Sequence, residues 1–335
     1  MADPKKILVI QLKRAGDVIV TTPVLPVLKE HFPEMQLDFL TYKAFAPLLE
    51  NNPYIGHVHA YDPQQAWVGL RHVRAEGYDW IFDFQSSPRS ALICRASGAS
   101  LTAGYRVPFW GFFYSLTVSR PRGAQSVVDG KMTLIEAAIG KISKRSERRI
   151  YLRAEEEHWA GEILNPGRVD SLVGLVPTHR RESRRWSADS FAALARRLQK
   201  AGHHVWLFWG PGEENYVEDI RQQAPGSHMI PSASLRQMAA LLARCRLVVT
   251  NDNGPMHLAV AVKTPTVTLY GPTDPLCWNP GGSQHPAVQV EGLSCLGCNL
   301  NVCPFEHECM RQVAPDKVFD ICQQFLKLPM VELTS

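Results

Sequence analysis

The sequence has no long apolar run. Its best candidate, Val107–Val118, is about 12 residues, carries Trp110, Gly111 and Tyr114, and is too short to span a bilayer. It has no strong charge imbalance either. The 36 Lys and Arg stand against 32 Asp and Glu, a net +4, which argues against an extended nucleic-acid footprint. It lacks a recognisable leader. Polar Met1–Lys6 runs straight into the short apolar Ile7–Ile10, where a secretory core would be longer and end in small residues. Eight cysteines in 335 residues are too few for a disulfide scaffold. A cytoplasmic protein is expected. What is present is 45% hydrophobic and 20% charged residues, an ordinary globular balance, in a length that suggests two domains.

Short β-rich runs alternate with helical patterns. Strands are expected at Ile7–Leu12, Leu37–Thr41, His57–Tyr61 and Trp80–Phe84, with helices at Pro23–His31 and Tyr42–Glu50 between them. The charge-rich segment 140–157 reads as a solvated helix or linker, and Pro166, Gly167 and Asp170 mark a domain boundary near Asn165–Ser171. The pattern then restarts. Strands are expected at Leu172–Val176, His204–Trp209, Leu247–Thr250 and Thr266–Tyr270. Helices are expected at Ser187–Ala201, at Leu235–Ala243 behind a Ser234 cap, at Pro255–Val262 and at Val318–Leu326. Such alternation implies parallel sheets with right-handed crossovers, and hence an α/β fold of two doubly wound domains facing an interdomain cleft. The divisions are 1–168, 169–315 and a C-terminal helix, 316–335, packing back across the junction.

In open parallel sheets ligands bind beyond the carboxyl ends of strands, so the loops there carry the functional information. Asp17 follows Lys13, Arg14 and Gly16 after the first strand; it can cap the next helix or act as a general base. Thr250–His257 follows a strand and opens a helix. Asp252 or Asn253 can cap, Gly254 lets the backbone approach a ligand, Pro255 suits the first turn, and His257 lies close by; exposed amides and the helix dipole favour an anion there. Pro177–Trp186 holds Thr178, His179 and four arginines, including Arg184 and Arg185, which suit either a diphosphate clamp or a solvated basic loop. A carboxylate in Gly210–Glu214 could accept hydrogen bonds from a ribose, and Thr273 and Asp274 could line the cleft. No Asp-x-Asp pair occurs, which argues against a metal bridging a diphosphate.

Taken in order, these segments resemble the lipopolysaccharide heptosyltransferases, glycosyltransferase family 9, of the GT-B fold with two Rossmann-like domains. The similarity is strongest at Ile7–Pro23 (ILVIQLKRAGDVIVTTP) and Val249–Pro275 (VTNDNGPMHLAVAVKTPTVTLYGPTDP), with Tyr78–Ser90 and Gly104–Arg106 also alike. The resemblance implies transfer of heptose from ADP-heptose to the inner core of lipopolysaccharide, on lipid A–Kdo or a heptosylated core, with inversion and without a metal cofactor. It places Asp17 as the catalytic base. Asp252, Asn253, Gly254 and His257 match the diphosphate segment, and Thr178 with Arg184 or Arg185 the phosphate contacts. Glu214 or Glu213 would take the ribose. Lys13, Arg14, Arg89, Arg106 and Lys131 are candidates for an acidic acceptor, or merely surface charges. The aromatic run Phe109–Tyr114 belongs to the core or to a contact with the inner membrane. Rival readings are a transferase using another nucleotide sugar, or a non-catalytic sugar-nucleotide-binding protein. Finally, Cys295-x2-Cys298-x4-Cys303-x5-Cys309 is spaced for a structural zinc, or for plain thiols in a loop.

Overall fold

The computed structural model describes residues 3–120, 126–142, 146–164 and 171–327. The chain divides into two compact units, Met1–Tyr151 and Leu152–Ser335. The boundary expected near Asn165–Ser171 falls almost wholly outside the described residues. The helix just before it belongs to the second unit.

The first unit contains β1 (Lys6–Ile10), α1 (Ala15–Ile19), α2 (Val24–His31), β2 (Gln36–Tyr42), β3 (His57–Tyr61), α3 (Ala66–Glu76), β4 (Trp80–Asp83), α4 (Pro88–Ser97), β5 (Leu101–Tyr105), β6 (Leu116–Val118) and α5 (Val127–Ile139). Its six strands are parallel, in the order β3-β2-β1-β4-β5-β6. Central β1 shows why it reads as an unbroken apolar run. Ile7 and Val9 pack in one core layer with Val24, Leu28 and Leu134, while Leu8 and Ile10 pack in another with Val73, Ala91 and Ile93. A strand covered on both faces has no side left for polar residues.

The second unit contains α6 (Ala154–Ile163), β7 (Leu172–Val176), α7 (Ala188–Lys200), β8 (His204–Leu207), α8 (Glu214–Gln223), β9 (His228–Met229), α9 (Leu235–Ala243), β10 (Leu247–Asn251), α10 (Gly254–Ala261), β11 (Thr266–Leu269), α11 (Pro275–Trp278), β12 (Ala287–Val288), α12 (Glu308–Arg311) and α13 (Pro315–Leu326). Its parallel order is β12-β11-β10-β7-β8-β9. Numbered from its own first strand, this repeats the order of the first sheet. Each sheet therefore reverses direction between its first and fourth strands, at β1/β4 and at β7/β10, and such switch points are where open sheets bind ligands.

Local signals set the helices. Phe191, Leu194, Ala195 and Leu198 of α7 are all fully buried, as their spacing predicts. Ser234 and Gln237 close a reciprocal cap at α9: the Gln237 amide donates to Ser234 Oγ at 3.2 Å and the Ser234 amide to Gln237 Oε1 at 2.9 Å. One expectation fails. Tyr42–Glu50 is not a helix; Tyr42 ends β2 and only Ala46–Leu49 forms a 3-10 turn. Its alanines and leucines fit a helix, but strand pairing to His57–Tyr61 claims Tyr42 first. The described part of the C-terminal helix, α13, packs within the second unit, against α7, β10 and β11.

Candidate functional site

In the second unit the loops at the β7/β10 switch point are stitched together by two asparagines. Asn251 ends β10; its Nδ2 donates to the Pro177 carbonyl at 2.9 Å and its Oδ1 accepts the Trp186 amide at 3.0 Å. Asn253 is the cap of α10. Its Oδ1 accepts the Met256 amide at 3.0 Å and the Thr250 hydroxyl at 3.1 Å, and its Nδ2 donates to the Thr178 carbonyl at 2.9 Å. The segment after β7 is thus hung on the segment after β10. In front of the helix start, a Cβ built on Gly254 would meet nothing within 4 Å, so the helix start is open on that side; Pro255 carries no N–H and the Met256 amide is taken by Asn253, which leaves the Gly254 amide as the donor nearest that opening. Donors at a helix start, with the dipole behind them, suit an anion.

Charge at this end is arranged around Asp252. Burial pushes its carboxyl up, opposed by the neighbouring Thr273 hydroxyl and by Arg184 and Arg181. Arg184 Nη1 lies 3.4 Å from Asp252 Oδ2, and its Nη2 donates to Asn299 Oδ1. Arg184 Nε, like Arg185 Nε, is buried without a hydrogen-bond partner among the described residues, while the Thr273 hydroxyl is turned to Asp252. Buried polar groups are normally satisfied, so the spare donor of Arg184 suits a polar ligand. Arg185 does something else. Its Nη2 donates to the His179 carbonyl at 2.7 Å and its guanidinium stacks 4.6 Å from the Tyr216 ring, so of the two arginines Arg184 is the one turned to Asp252. Burial pushes His179 down to about 4, with the flanking arginines adding to the shift, which keeps the ring neutral.

The other residues singled out in this unit fall as follows. Thr178 and His257 are buried, with His257 5.9 Å from the Trp278 ring. Glu214 is exposed at the first position of α8, whereas Glu213 is tied into its own turn by accepting the Gly210 amide at 2.9 Å. Asp274 caps α11, accepting the Leu276 amide at 2.9 Å.

In the first unit Asp17 is half-buried in α1 and accepts the Arg14 amide at 3.0 Å through Oδ2. It therefore does the capping job through that oxygen. Lys13, Arg14, Arg89 and Arg106 are exposed; Arg89 Nη1 donates to the Tyr42 hydroxyl at 2.9 Å. Lys131 is not a surface cation: it is buried, and its Nζ donates to Gln11 Oε1 at 2.8 Å. The amphipathic turns of α5 place it inward, where the sequence alone offered two outward readings. The aromatic run also splits. Phe109 and Phe112 are 88% and 76% exposed, while Tyr114 is buried with its hydroxyl donating to Asp83 Oδ2 at 2.6 Å.

The cysteine loop does not converge on a metal. Among the described residues no group of three or more His, Cys, Asp or Glu is arranged to hold one. Cys298 is exposed, Cys303 Sγ accepts the amides of Phe305 and His307 at 3.4 and 3.3 Å, and Cys309 is buried. Burial and the three neighbouring thiols push Cys309 up to about 11. The loop instead docks on the turn after β11. A Cβ on Gly271 would come within 2.7 Å of Cys309 Sγ and 2.6 Å of Met310 Sδ, and the Asn299 amide donates to the Pro272 carbonyl at 2.6 Å. Asn299, which orients Arg184, is a residue that sequence reasoning missed. No local motif announces it, because its role depends on a partner 115 positions away.

The model of glycosyltransferase family 9 (heptosyltransferase) matches residues 69–308. Lipopolysaccharide heptosyltransferase 3 of Escherichia coli is 25% identical over 285 residues, 79% of this chain and 83% of the relative. Lipopolysaccharide heptosyltransferase 1 of Salmonella typhimurium is 24% identical, over 81% of this chain and 89% of that one. Among solved structures, the glycosyl transferase family 9 protein of Veillonella parvula superposes with a TM-score of 0.86 at 22% identity, over 96% of this chain and 97% of that one. The ADP-heptose lps heptosyltransferase II of E. coli gives 0.80 at 21%, over 96% and 98%. At these identities the structures establish the shared GT-B fold. The matched span contains the segments after β7, β8, β10 and β11, ends just before Cys309, and begins after Asp17.

Proposed function

The chain belongs to glycosyltransferase family 9, and from that premise we propose that it transfers heptose from ADP-heptose to the inner core of lipopolysaccharide, with inversion and without a metal. An acceptor hydroxyl oxygen attacks the anomeric carbon as the bond from that carbon to the diphosphate breaks. The hydroxyl proton passes to Asp17, and ADP leaves. The observation that carries this reading is the open start of α10 beside Arg184 and Thr273. The Gly254 amide, the dipole of α10 behind it and a guanidinium would stabilise a diphosphate as negative charge develops on it, which is the work a metal does elsewhere. Thr178 and His257 flank that place, and Glu214 suits the ribose. The second unit is accordingly the donor-binding one, and the first holds the acceptor with Lys13, Arg14, Arg89 and Arg106.

A panel of nucleotide sugars tests the donor. ADP-heptose should give ADP release and product on truncated lipopolysaccharide acceptors, with the rate unchanged by EDTA. Indifference to ADP-heptose alongside turnover of another nucleotide sugar would replace the donor, and binding without turnover of any would favour a non-catalytic protein. The cysteine loop, held by packing, needs no zinc in this reading. A structural site would be nearly fully occupied in purified protein, so metal content below about 0.2 per chain is expected.

No described helix is long and apolar enough to cross a membrane. The acceptor is nevertheless a lipid, and the exposed Phe109 and Phe112 suit insertion at the cytoplasmic surface of the inner membrane. Sedimentation with anionic vesicles should fall several-fold in the Phe109→Ser/Phe112→Ser variant. Unchanged sedimentation rejects the contact.

A further inference from the structure

The loop that carries Asp17 is held from behind by a buried lysine. Lys131, on α5, is 4% exposed; its Nζ donates to Gln11 Oε1 at 2.8 Å and sits 4.9 Å from the centre of the Phe84 ring. Donation from Nζ to Oε1 settles which end of the Gln11 amide faces the lysine. The other end, Nε2, is then turned to the Lys13 carbonyl at 2.8 Å and to Gln85 Oε1 at 3.0 Å. Gln85 Oε1 also accepts the Lys13 amide at 3.0 Å. Lys13 is therefore gripped at both its N–H and its C=O, and the next amide, Arg14, donates to the Asp17 carboxylate at 3.0 Å. Thr21 Oγ1 closes the group by donating to the Asp17 carbonyl at 2.7 Å.

Stability alone does not account for a lysine here. Methionine would fill similar space without a buried charge, and unpaired buried charge is strongly disfavoured. Burial pushes the Lys131 amine down to about 7; Asp17 and Asp83 oppose that shift and Arg120 adds to it.

We propose that Lys131 is a positioning residue for the transfer reaction: its Nζ, as donor, fixes the Gln11 amide, and Gln11 with Gln85 fixes the turn into α1, Lys13–Asp17, so that the Asp17 carboxylate is presented in one orientation. The proposal rests on the reading of Asp17 as the base.

Three variants test it: Lys131→Met, Gln11→Leu and the double substitution. Each single change should lower kcat by about 10- to 100-fold, the scale of a catalytic group displaced by about 1 Å, with KM for the donor within twofold. The double variant should be no worse than either single one, because both break the same connection. The Tm of Lys131→Met should fall by no more than a few degrees, because the buried amine is removed while Gln11 Oε1 loses its donor. Hydrogen exchange over residues 12–19 reads the clamp without substrate: protection of the Lys13 and Arg14 amides should fall in both single variants, with second-unit peptides unchanged. A Lys131→Met enzyme with kcat within twofold of the parent, multiplying losses in the double variant, or unchanged exchange would overturn the proposal. If the parent protein transfers no sugar at all, the functional reading fails, and the exchange result still decides whether Lys131 holds the loop.

Discussion

Asp17→Asn should lower kcat for sugar transfer by about 10²–10⁴-fold, the usual contribution of a positioned general base. Asparagine is the informative replacement because the structure gives Asp17 one job and the proposal gives it a second. Its Oδ2 accepts the Arg14 amide, which is a capping role, and an amide oxygen can do the same. Its basicity cannot be replaced by an amide. If capping is all that Asp17 does, Asp17→Asn is nearly silent and Asp17→Ala is the damaging change. If it takes the acceptor proton, the two are equally inactive. ADP binding, which the proposal assigns to the second unit, should stay within twofold by calorimetry in both. A turnover within tenfold of the parent in Asp17→Asn would move the base elsewhere.

The second large effect is expected at Arg184. Arg184→Met should lower kcat/KM by about 10²–10³-fold, comparable to losing a preorganised donor to a developing negative charge. Lysine should restore only part of this, because one ammonium cannot span both Asp252 and Asn299 as the planar guanidinium does. The same variant carries a stability signature. Burial already holds the Asp252 carboxyl above its ordinary 3.8, and Arg184 works against that shift. A carboxyl raised on folding binds protons more tightly in the native state, so stability falls as pH rises from 3.8 through the folded value. Without Arg184 that value climbs further and the loss extends to higher pH. The Tm deficit of Arg184→Met should therefore be larger at pH 8 than at pH 5. A deficit independent of pH would mean that Arg184 stabilises by packing alone. Arg185→Met, by contrast, removes contacts to the His179 carbonyl and Tyr216, and its effect should lie in stability more than in donor affinity.

Sequence and structure agree best where the controlling interactions are local. The start of α9 could be read to the residue because Ser234 and Gln237 lie three positions apart and satisfy each other. The loop Thr250–His257 was legible for the same reason, as strand, cap, glycine and proline in succession. What the sequence leaves ambiguous is settled by distant partners. Asp252 and Asn253 both suit a cap, and the link from Asn253 to the Thr178 carbonyl, 75 positions away, accompanies the choice of Asn253. Arg184 and Arg185 are adjacent and chemically identical; Asn299 and Tyr216 separate their roles. Lys131 reads as a surface cation until Gln11, 120 positions earlier, is seen to receive it. The common strand order of the two sheets was equally out of reach, since pairing order is not a property of any one segment.

The outer strands of the two sheets have a further consequence. An edge strand offers unpaired amides and carbonyls on which a foreign chain can nucleate. The second sheet ends in β9 and β12, two residues each, and the first ends on one side in the three residues of β6. These stubs give an incoming strand almost nothing to register against. Only β3, with five residues, is long enough to template one, and polar His57 and His59 alternate with its apolar positions. A protein with Phe109 and Phe112 exposed in this way offers little edge for growth by β-addition into aggregates.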